Sequence, residues 1–105
     1  MATQVPNQRL RLSGMLHDIC GSNVYFQPPS NKKLEYPCIV YNLSNLNVVF
    51  ADNGTYRMMD EYSITYITRD PDDVNIRRIA TLPYCSLTRT APSDNLHHSY
   101  YRIFV

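Results

Sequence analysis

Two strand-like stretches that meet at Asp52-Asn53-Gly54 constrain this chain more than any other feature. The first runs from about Tyr36 to Phe50 and the second from Thr55 to Thr68. Asp, Asn and Gly tolerate positive φ, which a tight hairpin turn requires. At ~3.3 Å per residue a strand of about fourteen residues reaches ~45 Å, whereas a compact chain of 105 residues has a radius of gyration of only ~13 Å. Part of the hairpin is therefore expected to project past its own core. A projecting hairpin exposes backbone groups and apolar side chains that a solitary protein would cover or charge. The simplest reason to keep one is a second subunit that covers it.

The two strands differ in pattern. In the first, Cys38, Val40 and Asn42 share one face and Ile39, Tyr41 and Leu43 the other, so the start is expected to be sandwiched. Pro37 stands where a strand start allows proline. Asn42, Ser44, Asn45 and Asn47 then interrupt the alternation, which predicts a bulge or bend before Leu46, Val48, Val49 and Phe50. The return strand alternates more regularly. Tyr56, Met58, Asp60, Tyr62, Ile64 and Tyr66 fall on one face, and Arg57, Met59, Glu61, Ser63, Thr65 and Ile67 on the other.

Around the hairpin the chain predicts two helices and shorter strands. From about Gln4 to Cys20, Val5, Leu12, Leu16 and Ile19 form a helical stripe that Leu10 and Met15 widen, and Gly21 follows as a stop. Gly14 in its middle costs ~1 kcal/mol against Ala or marks a close backbone approach. Asn23 to Gln27 reads as a short strand ended by Pro28-Pro29, and Ser30 to Glu35 as a polar loop with Lys32 and Lys33. Asp70 as N-cap, Pro71 at the first helical position and the acids Asp72 and Asp73 predict a second helix. Its buried stripe is Ile76, Ile79 and Ala80, and Pro83 ends it. Tyr84 to Arg89 and His98 to Val105 read as further strands, joined by a loop from Thr90 to Asn95. The order predicts a single α+β domain over 1–105: one mainly antiparallel sheet, a long hairpin arm, and two helices packed on one face.

No motif in the chain carries catalysis or metal binding. His97 and His98 are neighbours on a predicted strand, so their rings point to opposite faces and cannot chelate one ion. His17 beside Asp18 reads as helix surface. Asp70, Asp72 and Asp73 lack the Gly and Glu spacing of an EF-hand and are explained by helix capping. The three glycines stand apart, so there is no phosphate-cradling loop. Cys20, Cys38 and Cys85 are too scattered for a disulfide framework or metal knuckles and are expected to pack as small apolar residues, with no base placed beside Cys85. We expect no enzyme and no cofactor.

Bulk properties agree with one small globular unit. With 44% apolar and 18% charged residues the chain can bury one modest core. A net charge of +1 gives no global attraction to nucleic acid or to an anionic membrane. No apolar run spans a bilayer and the first residues lack a signal-peptide pattern, so a cytosolic protein is expected. Nine Tyr against three Phe suit half-buried strands and interfaces.

Several stretches resemble the tail-completion or tail-terminator proteins of long-tailed bacteriophages. They are Val24-Tyr25-Phe26-Gln27-Pro28-Pro29, Tyr36-Pro37-Cys38-Ile39-Val40-Tyr41, Phe50-Ala51-Asp52-Asn53, Tyr62 to Asp73, Leu82-Pro83-Tyr84-Cys85-Ser86 and Asp94-Asn95-Leu96-His97-His98. Their order and spacing, from about residue 10 onward, carry the likeness rather than any one segment. His98 and Gly54-Thr55 depart from it, standing where an aromatic residue and Lys-Pro are expected. The resemblance implies a virion protein made in the host cytoplasm that assembles as a ring, commonly a hexamer. The ring sits on the end of the tail tube, stops its growth and presents a surface to the head-side connector. Expected partners are the chain itself, tail tube protein and connector or stopper protein, with no membrane and no sequence-specific nucleic acid, although genomic DNA passes through such a ring. The family has no catalytic motif to carry over. A hairpin reaching the next subunit would close the ring, with Leu46, Val48, Val49, Phe50, Tyr56, Met58 and Met59 as apolar contacts and Arg57, Glu61, Arg77 and Arg78 as candidates for ion pairs. Packing of the apolar set within one subunit is the competing expectation. A head-side connector ring and a monomeric peptide-binding module that uses a sheet edge are the alternative functions.

Overall fold

The computed structural model describes residues 8–52 and 55–105, with side chains described for all of these except 51, 52 and 55–57. In chain order the elements are α1 (Gln8–Cys20), β1 (Val24–Phe26), β2 (Cys38–Asp52), β3 (Thr55–Thr68), α2 (Val74–Ala80), β4 (Cys85–Ser93) and β5 (Leu96–Phe104). The strands form one five-stranded sheet in the order β1-β2-β3-β5-β4. Every pairing is antiparallel except β1 with β2, which is parallel. The fold is thus α+β, as the element order implies, and the two helices pack on one face of the sheet. The molecule measures 45 × 34 × 22 Å. No helix among the described residues is long and apolar enough to cross a membrane.

The core lies between the helices and the sheet. Leu12 and Leu16 of α1 and Ile79 of α2 are fully buried against Ile39 and Tyr41 of β2, Tyr62, Ile64 and Tyr66 of β3, and Tyr101 and Ile103 of β5. Each strand contributes every second residue, as a sheet with one covered face must. Four of these core residues are tyrosines, and a buried hydroxyl needs a partner. Tyr66 donates to Asp73 Oδ2 at 2.7 Å and Tyr101 to the carbonyl of Ile76 at 2.7 Å. Both bonds tie the sheet to α2. Burial, then the Asp73 carboxylate, pushes the Tyr66 hydroxyl far above its ordinary pKa, and burial pushes Tyr101 up to about 12.

Several local expectations are corrected. The N-cap of α2 is Asp73, whose side chain accepts from the Asn75 amide at 2.9 Å, so Asp70 is not the cap and Pro71 lies outside the helix. Asp70 instead folds a turn before the helix, accepting the Asp72 amide on Oδ1 and the Asp73 amide on its carbonyl. Asp73 wins because Thr68 and Tyr66 also donate to its carboxylate, at 2.9 and 2.7 Å. The expected loop from Thr90 to Asn95 is mostly strand. β4 and β5 pair up to Ser93 and Leu96, leaving a two-residue turn in which Asp94 and Asn95 have φ 53 and 64. Positive φ at both central residues is the turn geometry that follows the twist of a hairpin. Pro92 is tolerated in β4 because that strand is an edge. The Gly14 position has nothing within 4 Å, so no backbone approaches it closely. Leu10, expected to widen the buried stripe of α1, is 57% exposed. Val5 and the Asn53-Gly54 turn fall outside the described residues.

Candidate functional site

The hairpin of β2 and β3 outgrows the sheet that supports it. β3 pairs with β5 from Thr68 to Glu61, and Asp60 and Val105 exchange backbone hydrogen bonds at 2.8 and 2.9 Å. From Met59 to Thr55, β3 keeps only β2 as a neighbour among the described residues. On the other side β1 covers β2 only from Ile39 to Tyr41, with Gln27 extending the contact through its amide to Tyr41 and its side chain to the Leu43 amide. Residues 48–52 and 55–59 therefore form a two-stranded arm with both edges open to further strand pairing.

The interruption in the Asn-rich stretch is a break in register at the base of the arm. Register shifts occur between Leu43 and Asn45 and again between Asn45 and Val48. Asn47 has φ 56, a left-handed conformation that Asn adopts more readily than most residues. Its amide donates to Asp60 Oδ1 at 3.1 Å, which pins the bulge to the facing strand. The predicted bulge is present, and beyond it Phe50 packs edge-on against Phe104, with centroids 4.8 Å apart and planes at 78°.

That contact divides the predicted interface residues into two sets. Val48 shares Phe50's face and pairs with Met59, and all three are partly buried. Met59 and Phe104 also line a cleft of about 290 Å³ with Arg11, Met15, Pro83, Tyr84 and Val105. Phe50 thus makes its contact within its own subunit. Val49 pairs with Met58 on the opposite face, and these two are 56% and 64% exposed. Leu46, in the bulge, is 58% exposed and Leu43 at its start 38%. Glu61 is partly buried at the base of the arm, where it pairs with Phe104. Arg77 and Arg78 are exposed on α2, away from the arm, and Arg78 donates to Asn75 Oδ1 at 3.0 Å. The side chains of Tyr56 and Arg57 lie outside the described residues.

A second surface lies at the other margin of the sheet, between α2 and the edge strand β4. Its groove of about 550 Å³ is lined by Pro71, Asp72, Asp73, Val74, Ile76, Arg77, Ala80 and Leu87. Val74 and Leu87 are 67% and 44% exposed beside it. Leu87 falls inside the strand expected from Tyr84 to Arg89, but its place in a groove comes from the packing of α2 beside that edge, which the local sequence does not reveal.

The remaining candidates for chemistry have structural environments. His98 pairs with Ile67 and Ala91, while His97 pairs with Thr68 and Pro92 and so points to the opposite face. Burial pushes the thiols of Cys38 and Cys85 up to about 11 and raises that of Cys20 as well. All three favour the protonated, unreactive form at neutral pH. No protein-family model matches the chain, and no curated protein matches it either.

Proposed function

We infer that this chain is a structural protein of the head–tail junction of a long-tailed bacteriophage. It assembles as a homo-oligomeric ring on the end of the tail tube, terminates tail growth and offers a surface to the head-side connector. The observation that carries the reading is the outer face of the arm. Val49, Met58 and Leu46 are more than half exposed on a hairpin whose two edges, among the described residues, are unpaired beyond Leu43 and Asp60. A monomer gains nothing from exposing three large apolar residues on open strand edges, whereas a neighbouring subunit would cover both the side chains and the backbone. The ordered segments that resemble tail-terminator proteins give the contact its biological setting, a virion assembled in the host cytoplasm.

The test is the mass of the purified protein by light scattering, alone and after mixing with purified tail tubes. A ring, or mass added only at tube ends, supports the reading. A persistent monomer that ignores tubes and instead captures connector protein overturns the terminator assignment.

One further reading has its own observation. The apolar groove beside the free edge of β4 has the form of a site that takes an extended peptide as an added strand. Under that reading the chain stays monomeric, and substitutions at Val74 and Leu87, not at Val49 and Met58, remove binding.

A further inference from the structure

The sheet face opposite the helices carries a strip of cations that the overall charge conceals. Its residues alternate with those of the core, and strand register places them in rows. One row runs Tyr25, Val40, Thr65, Tyr100 and Arg89 across all five strands; the next runs Asn42, Ser63, Arg102 and Ser86. Neither row contains an acid. Among the described residues four cations at or beside these rows are held over aromatic rings: Lys32 over Tyr25 at 5.6 Å, Arg69 over Tyr36 at 5.6 Å, Arg89 over Tyr100 at 4.2 Å and Arg102 over Phe104 at 5.6 Å. All four are exposed. Among the described residues these four make their charged contacts with rings. Glu61 and Glu35 lie only at the margins of the strip, Glu61 beside Phe104 and Glu35 in the loop whose amide meets the Tyr25 hydroxyl.

We propose that this face binds the phosphodiester backbone of nucleic acid, with Lys32, Arg69, Arg89 and Arg102 on phosphates and the hydroxyls of Ser63, Ser86 and Thr65 between them. The first row spans ~19 Å at ~4.8 Å per strand, room for several successive phosphates. Guanidinium groups laid on rings are oriented in advance and remain free to present their donor forks to phosphate oxygens. The backbone is favoured over the bases because the ring of Tyr100 is already engaged by a cation. Arg89 sits over it, and His98 lies nearly parallel at 6.2 Å and 19°. Binding of this kind is independent of sequence. It does not depend on the ring reading, since none of these residues belongs to the arm's outer face.

The test follows the backbone amides of the full-length labelled protein by NMR during titration with a random-sequence duplex of about twenty base pairs, at low and rising salt. Shifts should concentrate at Ser63, Thr65, Ser86, Arg89, Tyr100 and Arg102. The dependence of log K on log salt should approach a slope of about −3.6 for four phosphate contacts, and Arg89→Gln with Arg102→Gln should remove about 1.8 of it and weaken binding at least tenfold. The same spectra report whether the variant is folded. Three outcomes overturn the proposal: no shifts at low salt, shifts centred on the arm or the α2 groove, or polyglutamate moving the same amides with an equal midpoint. A single-stranded oligonucleotide that binds more tightly than duplex and displaces Arg89 from the Tyr100 ring would overturn the assignment to backbone.

Discussion

Substituting the outer face of the arm should separate assembly from folding. Val49→Thr with Met58→Lys keeps residues that an edge strand accepts, Thr for its β-branch and Lys for its solvated charge. Both positions are more than half exposed, so the isolated subunit should lose no more than about 0.5 kcal/mol per site. For a domain of this size that is a shift of a few degrees in Tm, on the order of 4–8 °C per kcal/mol. Assembly should suffer much more. Full burial of a Val or Met side chain contributes about 1.5–3 kcal/mol, and slightly more than half of that remains to be gained at each site. The pair therefore removes about 2–3 kcal/mol from each subunit contact, roughly 30- to 150-fold in its equilibrium constant, before the penalty of desolvating an unpaired Lys. Phe50→Ala is the contrasting variant. It deletes a partly buried ring that packs edge-on against Phe104, and half of a full core truncation is about 2 kcal/mol, or roughly 10 °C. Light scattering reads assembly and calorimetry reads Tm. If the double variant melts as low as Phe50→Ala, or assembles like the wild type, the division of the arm into an inner and an outer face is wrong.

Other expectations rest on single groups. Burial alone would raise the Asp73 carboxyl, but hydrogen bonds from Tyr66, the Asn75 amide and Thr68 outweigh it and hold it below the ordinary carboxylate value. Its contribution is therefore complete above the unfolded pKa of about 3.9 and is lost as pH falls through the lower folded value. Asp73→Ala should cost about 2–4 kcal/mol at pH 7, from a lost cap and a Tyr66 hydroxyl left without its acceptor, and urea titrations should show that its deficit against wild type shrinks toward pH 2. With thiols near 11, Cys38 and Cys85 present roughly one thiolate per thousand at pH 8, so a disulfide reagent should modify them far more slowly in the folded than in the urea-unfolded protein. Asn95→Ala forces a Cβ without a hydrogen-bonding side chain into φ 64 and should lower stability by about 1 kcal/mol in denaturant titrations.

What was legible in the sequence was local. Alternation placed Tyr62, Ile64 and Tyr66 on the core face of β3, and the run of Asn and Ser announced the bulge that the register shifts at Asn45 and Val48 display. The helical spacing of Leu12 and Leu16 led directly to the buried side of α1. Local capping chemistry failed at Asp70, because the choice of Asp73 is made by Tyr66 and Thr68 on the neighbouring strand. The end of β4 failed for a similar reason: Pro92 argued for a loop, and only the edge position of the strand makes it acceptable. At the candidate site the apolar residues were found but not their division, since Phe50's partner, Phe104, lies far along the chain. The cation strip was not visible at all. Lys32, Arg69, Arg89 and Arg102 are scattered in sequence; strand register brings Arg89 and Arg102 into neighbouring rows, and Lys32 joins them by lying over Tyr25.

The placement of the open edges also limits the kind of assembly that the arm could build. The free part of β2 lies on the β1 side of the sheet, whereas the other long exposed edge, β4, lies at the opposite margin. An arm that adds its β2 edge to a neighbour's β4 joins unlike surfaces, and a contact between unlike surfaces repeats head to tail. Whether such a repeat closes into a ring or runs on as a filament depends on the angle between the two edges. The bulge stands between the arm and the rest of the sheet, where Asn47 takes φ 56 and its amide is held by Asp60, so a change there would alter that angle. In a head-to-tail repeat of this kind, substitutions at this local break would therefore change how many subunits complete a turn.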